Sequence, residues 1–260
     1  MPVSNSISDV RGYYRSILPF YEKESVSRAH LAFWRELARE LAPARILELG
    51  AGFGRITAAL STVAPCVGVD VSFEMLATAR RRRGTGRARF AAADIRRPIA
   101  REAFDLIVAP GDPISHATTL SERRAILRSA AAALTPGGRL VVEGLYRRRG
   151  QVAMPVRRVR HATGVLLIEE AWFPLGVRNL WHARYGYRDR DGDGVDKRAS
   201  AAFLARSWDP ATVRGVFASA GLSVRSLWGD FDRRPFTAAA PRIVIVASRS
   251  RPSGARRARP

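Results

Sequence analysis

The most constraining feature of this sequence is a glycine-rich stretch near residue 50. Residues 45–57 read ARILELGAGFGRI, in which an apolar run ends at Glu48 and alternate glycines follow at Gly50, Gly52 and Gly54. Because glycine tolerates unusual backbone angles and has no side chain to block a ligand, the pattern is typical of a strand-to-helix turn that holds a nucleotide-like molecule. A dinucleotide-binding turn is spaced G-x-G-x-x-G, so the early third glycine argues against NAD.

Strand and helix patterns alternate along the chain as far as residue 144. Apolar runs that end in an acid or a glycine predict strands, and apolar residues at helical spacing predict the helices between them. The predicted strands are 45–49, 65–70, 88–93, 104–110 and 139–144, and the predicted helices are 27–41, 53–62, 73–83 and one opened by the capping box of Thr119 and Glu122 and stopped by Pro136-Gly137-Gly138. Such alternation predicts a doubly wound, mostly parallel α/β sheet.

The alternation stops after Gly144. Residues 153–173 and 180–206 show no helical period, and aromatic and polar residues alternate from Trp181 to Tyr187. Alternation with period two indicates half-buried strands, so an antiparallel insertion is predicted here.

The α/β pattern resumes near the end of the chain. Asp209 is expected to be the N-cap of a last helix that stops at Gly221, followed by strands at 222–228 and 241–248. We therefore expect one domain over 1–248, divided into an N-terminal helical lid (1–42), a core (43–144), the antiparallel insertion (145–207) and closing elements (208–248), with a disordered basic tail at 249–260.

One acidic segment imitates a calcium loop. Asp189, Asp191, Asp193 and Gly194 match the opening of an EF-hand loop, but Ser200 stands where the bidentate glutamate is required. No helices are predicted on either side, so a hairpin turn is the better interpretation.

Composition narrows the class of protein. The chain has 260 residues, of which 47% are hydrophobic, as in ordinary globular proteins. No apolar run approaches the roughly 20 residues that span a bilayer, and the N-terminus lacks the pattern of a secretory signal. Cys66 is the only cysteine, so no intrachain disulfide and no thiolate metal site is expected. A cytoplasmic protein that contacts no membrane is predicted.

The net charge of +21 raises the question of a nucleic-acid partner. Lysine and arginine total 44, and only Lys23 and Lys197 are lysines, so 42 are arginines. Such a skew, with abundant alanine, is typical of a GC-rich genome. Two clusters could still contact phosphates, Arg80–Arg83 with Arg87 and Arg89, and the tail from Arg249. A nucleic-acid partner is therefore possible but not favoured.

Several segments, taken in order, resemble the motifs of the class I S-adenosylmethionine (SAM)-dependent methyltransferases of small-molecule type. The glycine stretch resembles motif I, VGVDVSFEML motif II, AAADIRRP motif III and FDLIVAPGDPISH motif IV. LTPGGRLVVEG and residues 220–248 resemble later segments. The likeness spans roughly residues 10–248. It implies a Rossmann-like fold with SAM as cofactor and S-adenosylhomocysteine as product.

The resemblance also assigns the cofactor-binding residues. It implies that Asp70 binds the ribose hydroxyls of SAM and that Asp94 contacts the adenine amino group. Glu48 would either organise the loop or contact the methionine ammonium group through water. It places the remaining contacts at Gly50, Ala51, Gly52, Gly54, Val71, Met75, Ile95 and Ala109. Tyr14, Tyr21 and Arg28 would belong to a lid that folds over SAM.

Methyl transfer from SAM requires few catalytic groups of the protein. Holding the nucleophile and the methyl carbon in line supplies most of the rate, and a general base is needed only if the acceptor arrives protonated. His116, which follows strand four, is the best candidate for a base, and Asp112 is the second choice. The other histidines, His30, His161 and His182, lie in separate elements, so no metal site is expected.

Three functions remain open on these residues. The leading one is methyl transfer to an oxygen, nitrogen or carbon atom of a small-molecule acceptor. The second is methylation of RNA or another nucleic acid, although Asp112-Pro113 is followed by Ile114 and Ser115, where the signature of amino-adenine enzymes has a second proline and an aromatic residue. The third is a SAM-binding protein without catalysis. A homodimer is possible.

Overall fold

A computed structural model of the chain describes residues 6–24, 28–81, 86–148, 155–192 and 194–249. The helices are α1 (Ile7–Tyr21), α2 (Arg28–Leu41), α3 (Arg55–Ser61), α4 (Phe73–Arg81), α5 (Leu120–Ala133) and α6 (Val213–Ala218), with a 3-10 helix at Pro113–His116. The strands are β1 (Ile46–Leu49), β2 (Cys66–Asp70), β3 (Ala88–Ala92), β4 (Phe104–Ala109), β5 (Leu134–Gly144), β6 (Arg157–His161), β7 (Gly164–Pro174), β8 (Leu180–Asp191), β9 (Asp196–Arg206), β10 (Leu222–Trp228) and β11 (Ile243–Arg249).

Seven strands form the central sheet in the order β10-β11-β5-β4-β1-β2-β3. The pairs among β1–β5 are parallel, and β11 runs antiparallel to both β5 and β10. One face of the sheet packs against α2 and α3 through a cluster that includes Trp34 and Leu60, and the other packs against α5 and α6 through Leu127 and Phe217. The prediction of a doubly wound, mostly parallel sheet is confirmed.

The predicted antiparallel insertion is also confirmed. Strands β6, β7, β8 and β9 form a separate four-stranded sheet of consecutive antiparallel pairs. The acidic segment that imitates a calcium loop joins β8 to β9 as a hairpin. Within the described residues, no group of three or more histidine, cysteine, aspartate or glutamate side chains could hold a metal ion.

Helix α1 lies on the insertion sheet. Its N-terminus has a capping box, in which Ser6 and Asp9 bond each other's backbone amides. Tyr13, Ile17 and Phe20 on one side of α1 form an apolar cluster with β7 and β8, including Leu166. The helix and the insertion sheet therefore share a core of their own beside the central sheet.

Two predicted boundaries are wrong by three residues or more. Helix α6 begins at Val213 and not directly after Asp209, because the Asp209 carboxylate accepts the Ala211 amide and holds a tight turn there. Strand β5 begins at Leu134 and not after the glycines, because Leu134 already pairs with Phe104 before the register shifts.

Strand β3 ends at Ala92, one residue earlier than predicted, so that Asp94 lies two residues beyond the strand. Two other predictions concern residues that the structure describes only in part. Of the predicted tail, Arg249 belongs to β11 and the rest lies outside the described residues. Of the predicted arginine cluster, Arg82 and Arg83 also lie outside them. No helix in the described part of the chain is both long and apolar enough to cross a bilayer.

Candidate active site

The glycine stretch forms the turn between β1 and α3 with three left-handed backbone positions. Gly50, Gly52 and Gly54 have φ angles of +75°, +51° and +70°. A Cβ at Gly50 would lie 2.5 Å from Pro113, whereas a Cβ at Gly52 would meet only the Met75 sulfur, at 3.6 Å. Gly50 is therefore required by packing, and Gly52 faces open space beside Met75.

Asp70 holds this turn from the end of β2. One carboxylate oxygen accepts the Gly52 amide at 2.8 Å, and the other accepts the Ser72 amide, also at 2.8 Å. Burial raises the pKa of Asp70, and these backbone hydrogen bonds act in the opposite direction. Because each carboxylate oxygen has two acceptor sites, both oxygens can accept one further hydrogen bond.

A cavity of about 840 Å³ opens in front of this turn, and we call it the glycine-loop cavity. It lies at the carboxyl ends of β1, β2 and β4, where ligands bind in open α/β sheets. Its walls are Val10, Tyr14, Tyr21, Gly50, Gly52, Asp70, Val71, Met75, Ala93, Asp94, Ile95, Arg96, Pro110, Gly111, Pro113, His116, Ala117 and Ile126.

The structure thus gathers most of the predicted cofactor residues around one cavity. Glu48, Ala51, Gly54 and Ala109 are not among the lining residues of the glycine-loop cavity. Arg28 begins α2, and its side chain lies outside the described residues. The individual roles of all these residues stay predictions.

Glu48 lies behind the turn. Its side chain is 2% exposed and accepts a hydrogen bond from the Thr57 hydroxyl of α3. Burial raises the pKa of Glu48 to about 8, against the opposing effect of the Thr57 hydrogen bond. Glu48 therefore links β1 to α3 through Thr57, and its role toward a ligand stays a prediction.

The raised pKa of Glu48 predicts a pH dependence of stability. The ordinary pKa of glutamate is near 4.5. A carboxyl whose pKa is higher in the folded chain contributes stability below pH 4.5 and loses it as the pH rises through about 8. We expect Glu48→Gln, which stays neutral, to reduce the loss of thermal stability between pH 5 and pH 8. An unchanged slope of melting temperature against pH would contradict this assignment.

Asp94 sits at the rim of the glycine-loop cavity in an ionic cluster. It accepts the Arg96 amide and pairs with the Arg96 guanidinium at 3.0 Å, which also binds Glu122 at 2.9 Å. The Arg96 guanidinium holds the carboxylate of Asp94 in place at the wall of the cavity. Ile95, next in sequence, lines the same wall.

Two tyrosines of α1 cover the glycine-loop cavity. The Tyr14 hydroxyl lies 3.1 Å from His116 Nε2, and the Tyr21 ring packs 5.8 Å from that of Phe53 in the glycine turn. Both tyrosines are buried in desolvated surroundings, which raises their pKa values, that of Tyr21 to about 12. They are therefore neutral hydrogen-bonding groups at physiological pH.

A second cavity, of about 1,660 Å³, lies between the central sheet and the insertion sheet, and we call it the aromatic cavity. Tyr14, Tyr21, Gly111 and His116 line both cavities, so the two meet at these residues. The other walls are Tyr13, Glu24, Asp112, Ser115, Glu143, Gly144, Leu145, Tyr146, Arg147, Arg148, Arg157, Glu170, Trp172, Tyr185, Tyr187, Phe203, Ala239, Ala240, Pro241 and Arg242.

Three carboxylates of the aromatic cavity are each paired with an arginine. Glu170 pairs with Arg147, Glu24 with Arg157 at 2.5 Å, and Glu143 with Arg242 at 2.9 Å. The motifs did not reveal these pairs, since their partners come from distant parts of the chain. Only Glu143 carried a signal, as an acid at the end of a predicted strand.

The pKa values of His116 and Asp112 are shifted in opposite directions by the same cause, because burial disfavours the charged form of each group. Burial lowers the pKa of His116 to about 4 and raises the pKa of Asp112 to about 7. Neutral His116 can accept a hydrogen bond but retains a transferred proton poorly. Asp112 accepts a hydrogen bond from the Leu145 amide, and the nearby guanidinium of Arg123 opposes the rise of its pKa.

Comparison with known proteins agrees with this geometry. Residues 46–138 match a family model described as a methyltransferase domain. A SAM-bound amino pentose methyltransferase, CalS10 from Micromonospora echinaspora, is 23% identical with a TM-score of 0.72, over 90% of this chain and 96% of that one. No curated protein matches the sequence.

Two further solved structures share the fold. A SAM-dependent methyltransferase from Clostridium acetobutylicum is 18% identical with a TM-score of 0.75, covering 92% of this chain and 99% of that one. The sugar N-methyltransferase KedS8 from Streptoalloteichus is 20% identical with a TM-score of 0.72, and the match covers 90% of this chain and 92% of that one. Residues 46–138 therefore match a methyltransferase domain, and the chain shares its fold with these solved methyltransferases.

Proposed function

We propose that this protein transfers a methyl group from SAM, held in the glycine-loop cavity, to a nitrogen atom of a small polar acceptor in the aromatic cavity. The observation that carries the proposal is the meeting of the two cavities at Tyr14, Tyr21, Gly111 and His116. A donor and an acceptor bound on either side of this junction would face each other, which is the arrangement that in-line displacement requires.

The residues of the glycine-loop cavity fit SAM. The remaining acceptor capacity of the Asp70 carboxylate suits the two ribose hydroxyls, and Asp94, beside Ile95, suits the adenine amino group. The absence of a side chain at Gly52 leaves room for close approach of the ligand. When bound, SAM supplies a methyl group on a sulfonium, which is a good leaving group.

Helix α1 is proposed to act as the lid over SAM, with Tyr14 and Tyr21 on its inner side. The segment after the helix is fixed by charged groups: Lys23 pairs with the buried carboxylate of Asp189, which also binds His161 at 2.7 Å. The Arg55 guanidinium donates to backbone carbonyls of the same segment. These contacts would hold the lid against both the insertion sheet and α3.

The electrostatics of the junction favour an amine acceptor. An alcohol must lose a proton as it is methylated, whereas a free amine attacks without a base. His116, with a pKa lowered to about 4, is a weak base at physiological pH. Two of the structures that share the fold are those of an amino pentose methyltransferase and a sugar N-methyltransferase, which supports the proposal.

The pH dependence of the rate tests the amine proposal. We expect kcat/KM to rise with pH along the deprotonation of the acceptor, because His116 stays neutral from about pH 5 upward. For two acceptor amines that differ in pKa, the inflections in the plots of kcat/KM against pH should therefore differ by the same amount as the pKa values. This should hold for both the wild type and His116→Asn. One fixed inflection near pH 7 for both amines would point instead to Asp112 as the base.

The activity itself is tested with purified protein, SAM and matched small molecules. Pairs of amino sugars and their hydroxyl analogues are incubated with the enzyme, and methylated products and S-adenosylhomocysteine are measured by mass spectrometry. We expect methylation of amines and little turnover of the hydroxyl analogues. Transfer to hydroxyl groups at equal rates would contradict the amine proposal, and SAM binding without any turnover would support a non-catalytic role.

The nucleic-acid alternative has weaker support. In the arginine cluster near β3, Arg80, Arg87 and Arg89 donate hydrogen bonds to backbone carbonyls of their own chain. The aromatic cavity lies between two sheets and its described carboxylates line the walls, which suits a compact acceptor better than a polyanion. Methylation of total RNA, with steep salt dependence, would revive this alternative.

A further inference from the structure

The loop that reaches the junction of the two cavities has a strained backbone. Gly111 and Asp112 follow β4 with φ angles of +65° and +52°. A left-handed conformation is energetically unfavourable for a residue other than glycine. Such a conformation persists only where surrounding contacts fix it, and the 3-10 helix that begins at Pro113 carries His116 directly to Tyr14.

Two carboxylates connect this loop to the end of β5, one supplied by each segment. Glu143, the penultimate residue of β5, accepts the Gly111 amide at 2.8 Å. Asp112, in the loop, accepts the amide of Leu145, the residue directly after β5. The loop and the end of β5 thus exchange one carboxylate each, and each carboxylate binds the other segment's backbone.

Glu143 is itself held by its neighbours. Its Oε2 atom lies 2.7 Å from His30 of α2, and its Oε1 accepts from Arg242 at 2.9 Å. Burial would raise the pKa of Glu143, but the hydrogen bonds from His30 and Gly111 and the nearby Arg242 charge lower it below its ordinary value. The carboxylate that anchors Gly111 is therefore ionised and fixed from two further elements.

We propose that Glu143 and Asp112 are positioning residues, which together clamp the loop so that Gly111 and His116 stay at the junction between donor and acceptor. The proposal rests on the proposed function for its effect on catalysis, while the clamp itself is a property of the fold. Asp112 would then act on the reaction through the Leu145 amide and not as a base. Glu143 lies in the segment LTPGGRLVVEG, for which the sequence resemblance supplied no residue role.

The first test measures the clamp without any acceptor. Backbone hydrogen exchange is followed by mass spectrometry in peptides covering 110–117 and 143–148, for Glu143→Ala, Asp112→Ala and the double variant. Each single variant should exchange about tenfold faster in these peptides, as expected for one hydrogen bond of about 1.4 kcal/mol. The double variant should add little more, because either loss frees the same loop. Unchanged exchange in both single variants would overturn the proposal.

A control variant and a fold readout accompany this test. Glu40→Ala removes an exposed carboxylate that pairs with Arg233 at the end of α2, and it should leave exchange in both peptides unchanged. The far-ultraviolet circular dichroism spectrum verifies that each variant is folded. If the Ala variants do not fold, Asp112→Asn provides the test: it should keep most of the exchange protection of both peptides, because its amide oxygen can still accept the Leu145 amide.

The second test separates positioning from base catalysis once an acceptor is known. A positioning role predicts that Asp112→Asn recovers most of the kcat and most of the exchange protection lost in Asp112→Ala. A base at Asp112 predicts that the Asn and Ala variants are equally slow, because an amide accepts no proton. Equal loss in both would overturn the assignment of Asp112. Failure to find any acceptor would count against the proposed function and leave the exchange result standing.

Discussion

Replacing Asp70 with alanine is expected to weaken the binding of SAM and S-adenosylhomocysteine by about 100-fold or more. Asp70 faces the glycine-loop cavity and is proposed to accept the two ribose hydroxyls. A hydrogen bond to a charged group contributes about 1.5–3 kcal/mol, so losing two costs at least about 3 kcal/mol. Each 1.4 kcal/mol is tenfold in affinity, which gives about 100-fold. Titration calorimetry with both ligands measures the effect.

Two further variants make the Asp70 result interpretable. Asp70 also holds the Gly52 and Ser72 amides, so the alanine variant loses part of the anchoring of the turn. Asp70→Asn keeps one acceptor oxygen and should bind with intermediate affinity. Asp232→Ala removes an exposed carboxylate that lines neither cavity and should bind as the wild type does. Wild-type affinity in Asp70→Ala would remove this residue from the site.

The second large effect is expected for Gly52→Val. The nearest atom to a Cβ placed at Gly52 would be the Met75 sulfur at 3.6 Å, so a side chain would extend along the cavity wall and not into the core. The valine would occupy space beside Asp70 in which SAM is proposed to bind. We expect affinity to fall by about 100-fold, or about 3 kcal/mol, while the far-ultraviolet circular dichroism spectrum stays native.

Backbone strain needs its own control, because Gly52 has a φ of +51°. Gly221 has a φ of +78° and no atom within 4 Å of a Cβ position, and it lies at the end of α6, away from both cavities. Gly221→Val should therefore lose a similar amount of stability without losing affinity for S-adenosylhomocysteine. Equal loss of affinity in the two variants would show that strain, and not obstruction of the cavity, explains the Gly52 result.

The sequence was most informative where local pattern and chemistry coincide. Apolar runs and glycine spacing predicted the parallel strands, because strands buried on both faces need continuous apolar residues. The resemblance pointed to Asp70, Asp94 and the glycines, and all of them except Gly54 line one cavity. Asp70 could be found because it ends a strand directly next to the glycine turn.

Other features depend on contacts between distant residues. The pairing of Glu170 with Arg147 joins the end of the central sheet to β7, and nothing in either segment reveals its partner. Leu134 leaves the helical pattern early because Phe104 of β4 pairs with it. The docking of α1 on the insertion sheet likewise depends on side chains that the local pattern cannot connect.

The proposed function depends above all on the donor and the acceptor meeting at the junction of the two cavities. A crystal structure of the protein with S-adenosylhomocysteine tests this arrangement most directly. We expect ribose hydroxyls on Asp70, adenine beside Asp94, and the sulfur atom facing the aromatic cavity between Tyr14 and His116. A ligand whose sulfur points away from that cavity, or a ligand bound elsewhere on the chain, would contradict it.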